Sequence, residues 1–235
     1  MNEVARVLVV TAHPDDVDFG AAGTVARWRE VGVEVAYLVC TDGEAGGSDR
    51  ALGRAELAAV RREEQRRAAA AVGVETVEFL GRPDGSLAAD LELRREIAAA
   101  IRRHRPDRVL CQSPERDYTR LPASHPDHLA AGAAAVAAVY PDARNPFAFP
   151  ELLAAGLEPH AVGELWLMAH PLANHHVDVT EHLEAKLAAL HCHESQLPDP
   201  AAMDERIRSS TARNAEQAGM AAGRHAEAFF VTTLG

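Results

Sequence analysis

Two short blocks hold most of the side chains in this sequence that could do chemistry. His13-Pro14-Asp15-Asp16 offers one imidazole and two carboxylates within four residues, and His125-Pro126-Asp127-His128 offers two imidazoles and a carboxylate. Brought together, they can supply the two-histidine, one-carboxylate ligand set with open positions that catalytic zinc or non-haem iron uses. The remainder still holds an imidazole and a carboxylate. Hydrolysis wants both: a base to take a proton from metal-held water, and an acid to stabilise an oxyanion and protonate a leaving amine. Each block alone has a plainer reading, because His, Pro and Asp are ordinary loop residues and such pairs often just terminate elements. Together, at the ends of predicted strands, they point to a hydrolytic metal site.

The elements that must position these blocks follow from hydrophobic patterning. Val4–Val10 is β-branched and almost continuously apolar, as in a strand covered on both faces. Gly23–Val31 suits a helix, Val33–Cys40 a second buried strand, and Leu52–Val72 a long helix rich in Ala, Arg and Glu. A strand at Thr76–Leu80, a helix at Leu91–Arg105 and a strand at Arg108–Cys111 follow, each bounded by Gly or Pro signals. This alternation predicts an α/β fold with a mostly parallel sheet flanked by helices. Ligands of such sheets collect beyond the carboxyl ends of the strands. The polar segments His13–Asp16, Asp42–Asp49, Asp84 and Gln112–His128 sit there. The second half is less regular: an apolar Ala-rich helix at Leu129–Tyr140, a Pro-punctuated loop or lid at Pro141–Pro159, and a strand at Leu165–Ala169. Helices at Glu181–Cys192 and Ala201–Gly219 and a strand at Ala228–Thr232 complete the pattern. No repeat or linker divides the chain, so residues 1–235 read as one domain.

Composition narrows the class. A chain of 235 residues with 47% apolar content can bury a substantial core. A formal charge of −11 argues against nucleic acid as a partner, since backbone binders need clustered Lys and Arg. Cys40, Cys111 and Cys192 show neither a disulfide framework nor CxxC spacing and read as thiols in a reducing compartment. No signal peptide is visible, and the longest apolar stretch falls short of a membrane span. A cytoplasmic location is the expectation.

The sequence resembles the LmbE-like or PIG-L N-deacetylases, a family that includes enzymes of mycothiol and bacillithiol synthesis and the glycolipid-anchor de-N-acetylase. The resemblance rests on AHPDD at Ala12–Asp16 followed by Gly23-Thr24, and on HPDH at His125–His128. Arg61-x-x-Glu64 ahead of Gly73-Val74, Asp178-Val179-Thr180, and Lys186 followed by His193-x-Ser195-Gln196 support it. The resemblance implies a Rossmann-like three-layer fold and a zinc-dependent deacetylase, with Fe2+ as the alternative metal. It implies His13, Asp16 and His128 as metal ligands, Asp15 as general base, and His125 as acid and oxyanion stabiliser. Asp127 resembles the carboxylate that orients and charges His125. Arg61 resembles a substrate contact, with Asp84 as its companion. The implied substrate is a small N-acylated amino sugar or its conjugate, and homo-oligomer formation is left open. Some relatives carry a tyrosine two residues before the second block, where this chain has Ala123.

Competing readings are specific. Gly43, Gly46 and Gly47 lack a Walker ending and suit a rim loop better than a phosphate loop. Arg61 and Glu64, without the resemblance, make an ordinary i,i+3 surface pair. His191 and His193 suit a structural role near a helix end, and His175 and His176 suit a solvent-facing loop. Pocket walls are expected from 42–52 and Pro141–Pro159. The rival functions are cleavage of a larger amide at the same metal and a non-catalytic metal-containing binding protein. The retention of both Asp15 and His125 argues against the binder.

Overall fold

The computed structural model describes residues 4–47 and 52–234, so Met1–Glu3, 48–51 and Gly235 lie outside the description, as does the tail of the predicted 42–49 segment. Alternation within the first strand explains the layering. In β1 (Arg6–Thr11), Leu8 and Val10 face one way and Val7 and Val9 the other, and all four are buried. Leu8 and Val10 pack with Leu93, Ile97 and Ile101 of α3 (Leu91–His104) and with Ala131, Ala134 and Ala135 of α4 (Pro126–Ala137). Val7 and Val9 pack with Val17, Ala21, Val25 and Trp28 of α1 (Asp16–Glu30) and with Ala68 and Ala69 of α2 (Arg54–Ala71). The result is three layers, helix, sheet and helix, as the sequence predicts.

The sheet has seven strands in the order β3-β2-β1-β4-β5-β7-β6. β2 (Glu34–Thr41), β3 (Thr76–Arg82), β4 (Arg108–Gln112) and β5 (Glu164–Met168) continue β1 in parallel. β7 (Ala226–Thr233) runs antiparallel between β5 and β6 (His175–Asp178). From β1 the chain first builds toward β2 and β3, then crosses back so that β4 lies on the other flank. The reversal falls between β1 and β4, which opens a crevice beyond their carboxyl ends.

Four expectations are corrected. α1 begins at Asp16 rather than Gly23, because the glycines mark close approach inside the helix. A Cβ at Gly20 would lie 2.5 Å from Met168 Sδ, and one at Gly23 would lie 2.8 Å from Val179 Cβ. α4 begins at Pro126 rather than Leu129, so the second block forms its first turn, with the Pro ring preset for that position. His175 and His176 belong to β6, an edge strand, and His175 packs edge-on against Trp166. Pro141–Pro159 contains the short α5 (Pro150–Ala154) and is tied down by the buried Arg102, which donates to the carbonyls of Asp142, Ala143, Asn145 and Ala148.

α6 (Leu183–His191) and α7 (Pro200–Gln217) close the structure, packing through Leu187, Leu190, Met203 and Ile207. Among the described residues, no helix is long and apolar enough to cross a membrane.

Candidate metal centre

The two blocks converge at the crevice between β1 and β4. Gln112, at the end of β4, accepts the Ala12 N–H at 2.9 Å and so ties the two strand ends together. α4 lies directly on that end: a Cβ at Gly132 would come within 2.4 Å of the Gln112 carbonyl oxygen. Only a glycine there lets the helix bring its first turn, and with it His125–His128, over the end of β1. The ring centroids of His13, His125 and His128 then lie 5.1 to 5.3 Å apart. One nitrogen of each lies within 4.8 Å of the others, a spacing able to surround one cation.

Asp16 lies between two of these imidazoles. Its Oδ1 is 3.0 Å from His128 Nε2 and its Oδ2 is 3.5 Å from His13 Nδ1. Oδ2 also accepts the His13 main-chain N–H at 2.7 Å, closing the first turn of α1 back on the strand end. Burial alone would raise the Asp16 pKa, but His128 and His13 hold it well below the carboxylate range. Burial opposes the charge on His13, yet the carboxylates of Asp16 and Asp84 raise it to about 11. The Asp16 carboxylate thus faces an imidazole with each of its oxygens, a pairing of donor types that suits a divalent cation. His13 also meets a second carboxylate pair, since its Nε2 lies 3.1 Å from Asp84 Oδ1 and 3.3 Å from Asp127 Oδ2. Those three residues form the other group with ligand spacing among the described residues.

Asp15 stands apart from both groups. It occupies the left-handed region at φ 87°, a conformation that holds only where its surroundings determine it. Its carboxylate accepts from Arg61 Nη2 at 2.9 Å, and its main-chain N–H donates to Gln65 Oε1 at 2.7 Å. Burial pushes its pKa up to about 6, against the opposing charge of Arg61. That value suits a group that must take a proton near neutral pH.

Arg61 is 4% exposed and Glu64 2%, so they are not a surface pair. Arg61 spends its donors on Asp15 and on the carbonyls of Pro14 and Gly43, at 2.7 and 2.8 Å for the latter two. It lines the cleft while bracing Asp15. Asp84, besides meeting His13, accepts the Ala45 N–H at 2.8 Å and so fixes the glycine-rich rim.

The predicted partnership of His125 and Asp127 takes a different form. The Asp127 carboxylate accepts from the main-chain N–H groups of Gly85 and Leu87 and meets His13, while its charge still favours the protonated ring of His125. The Asp127 main-chain N–H instead donates to His125 Nδ1 at 3.2 Å. An Nδ1 that accepts leaves the proton of a neutral imidazole on Nε2. Burial and the neighbouring His13 and His128 lower the His125 pKa, which favours that neutral form.

The cleft in front of these groups has a volume of about 710 Å³. Ala45 and Gly46 contribute to its wall as expected, but Pro141–Pro159 does not. Its place is taken by Phe19, Arg120, Met168, Arg206 and Ile207, none singled out by sequence. Met168, at the carboxyl end of β5, was accessible to the strand-end rule; α7, which brings Arg206 and Ile207, gave no local signal. Tyr118 is 80% exposed and is not part of the wall, whereas Ala123 is.

Residues 8–139 match the PIG-L family, described as GlcNAc-PI de-N-acetylase. The chain belongs to the PIG-L family. This PIG-L protein is 36% identical over 198 residues to diacetylchitobiose deacetylase of Thermococcus kodakarensis, an alignment covering 84% of this chain and 72% of that protein. It is 31% identical to a probable N-acetyl-alpha-D-glucosaminyl L-malate deacetylase 2 of Bacillus anthracis, over 83% of each chain. The solved N,N'-diacetylchitobiose deacetylase from Pyrococcus horikoshii superposes with a TM-score of 0.90 at 32% identity, covering 98% of this chain and 84% of that one.

Proposed function

We propose that this PIG-L protein is a metal-dependent N-deacetylase that removes the acetyl group from a small N-acetylglucosamine-type molecule, with zinc as its metal and the cytoplasm as its location. The observation that carries the reading is the convergence of His13, His125 and His128 with Asp16 between two of them, next to a braced carboxylate outside that set. His13, Asp16 and His128 are the residues assigned to hold the ion. Bound there, the ion supplies Lewis-acid activation of water and of the amide carbonyl.

Asp15 takes a proton from the attacking water, its carboxylate held by Arg61 and its main chain by Gln65. His125, with Nδ1 engaged by the Asp127 N–H, donates from Nε2 to the developing oxyanion. Asp15 then returns its proton to the leaving nitrogen, giving a free amine and acetate. Names of relatives support the substrate class: one is a diacetylchitobiose deacetylase and another a probable N-acetylglucosaminyl-malate deacetylase. Asp84 and Arg61, at the inner wall, are assigned to frame the sugar beside the amide.

The test is acetate release from N-acetylglucosamine, N,N'-diacetylchitobiose and glucosaminide conjugates, measured with metal content before and after chelation. Acetate release that stops on chelation and returns with zinc is the expected result. Tight metal binding without turnover across a broad amide panel would instead mark a binding protein. Turnover confined to larger acyl groups would mark a different amidase.

A further inference from the structure

The base of the proposed reaction is held from behind by residues that never reach the cleft. Asp15 is the left-handed residue between β1 and α1, and its carbonyl accepts from Asp18 and Phe19 N–H at 2.9 and 3.0 Å as the helix begins. Its N–H points the other way, to Gln65 Oε1. A main-chain N–H can only donate, so the Gln65 amide has its orientation fixed: oxygen toward Asp15, nitrogen toward Asp18. That nitrogen donates to Asp18 Oδ2 at 2.9 Å. The same oxygen lies 2.8 Å from His193 Nε2, which must therefore be a donor.

Gln65, Asp18 and His193 are all fully buried, and none lines the cleft. Among the described residues, the other ring nitrogen of His193 has no hydrogen-bond partner, and Asp18 is the one side chain to which its ring is fastened. The neighbouring residue on α2 repeats the arrangement: Glu64 accepts from both the N–H and the hydroxyl of Ser195 at 2.7 Å. The segment 193–195 thus meets both helices, α2 at Glu64 and α1 at Asp18, and Asp18 passes the contact on to Gln65 and so to Asp15.

We propose that His193, Asp18 and Gln65 form a positioning relay that sets the main chain of Asp15, so that His193 governs turnover without touching substrate or metal. The inference rests on Asp15 being the base. Without the His193 donor, Asp18 keeps only the Gln65 amide, and the amide is no longer held from both ends. The Asp15 peptide then loses its fixed acceptor, and its carboxylate shifts relative to the attacking water. Rates fall steeply with such displacements, whereas binding of the distant parts of a substrate does not.

The experiment compares His193→Gln, whose side-chain nitrogen can reach the place of Nε2, with His193→Asn, whose shorter side chain cannot. Steady-state acetate release, metal content and Tm are measured on the full-length, zinc-loaded protein. The expected result is that His193→Asn loses kcat roughly tenfold or more, with KM and metal content changed by less than about twofold. His193→Gln retains kcat within about threefold. Gln65→Met loses kcat similarly, and adding His193→Asn to it costs little more, because both cut the same chain. A purely structural role would lower Tm in both His193 variants and leave their kcat per loaded site alike; equal kcat in the two overturns the proposal. Asp15→Asn separates the two readings. If it keeps full turnover, the base assignment fails. If it is inactive while His193→Asn is unimpaired, the relay alone fails.

Discussion

Replacing Asp15 by Asn isolates its proton-taking role from its structural one. Asn tolerates the left-handed conformation at φ 87° better than most residues, and its amide oxygen can still accept from Arg61. The guanidinium also keeps the carbonyls of Pro14 and Gly43. A neutral amide is cheaper to bury than a carboxylate whose pKa burial has pushed up to about 6, so stability should change by no more than about 1 kcal/mol. Turnover is another matter. Loss of a positioned base costs roughly 10²- to 10⁴-fold, or about 3–5 kcal/mol of barrier. Asp15→Ala should share that loss and add a stability defect. Ala in the left-handed region costs about 1–2 kcal/mol, and a buried guanidinium donor left without an acceptor costs about 1–3 kcal/mol more. Acetate-release kinetics, metal content and urea denaturation of both variants separate these terms. Turnover of Asp15→Asn within tenfold of the parent, or metal loss equal to that of His13→Ala, would refute the reasoning.

His13→Ala is expected to lose both metal and activity, whereas His125→Ala should lower turnover more than metal occupancy; normal turnover in the latter would remove His125 from oxyanion stabilisation. Gly132→Ala places a methyl against the Gln112 carbonyl and should cost about 1–3 kcal/mol while displacing the first turn of α4, read as a lower Tm together with weaker metal retention. Burial opposes the charge on His193, but Asp18 outweighs it, aided by the charges of Asp15 and Glu64, and the imidazolium is held above its ordinary 6.5. Its stabilisation is therefore complete below that value and is lost as pH rises through the raised folded value. His193→Leu should flatten this limb of a urea-stability profile against pH, and an unchanged limb would assign it to another group.

The parallel sheet and its helices were legible because buried strands write themselves as apolar runs between turn signals, as in β1 and β2. Both histidine blocks were legible because strand-end positions leave polar residues few structural uses. What escaped depended on tertiary contact. The sequence places the start of the first helix at Gly23, yet Gly20 and Gly23 lie inside that helix, where Met168 and Val179 approach. Arg61 and Glu64 sit on a helix so charged that periodicity could not show which charges turn inward. Gln65 is one turn beyond Arg61, and that i,i+4 spacing was a signal that both face Asp15. Asp127 was recognised as the partner of His125, but only coordinates reveal that the contact comes from its main chain while its carboxylate turns to His13. Arg102 gathers the Pro141–Pro159 carbonyls away from the cleft, an outcome written in a residue some forty positions earlier.

The place of β7 has a consequence for how the chain comes to be made. Among the described residues β6 has no strand neighbour except β7, and the Glu227 carboxylate on β7 accepts the N–H groups of Gly23 and Thr24 while pairing with Lys186. A ribosome releases α1 well before β7, so the helix that carries Asp16 waits until a residue 204 positions beyond Gly23 has been made before its middle is fastened. Until then β6 drifts as an unpaired edge, and the nascent protein has every ligand in hand but no rigid frame on which to hold them.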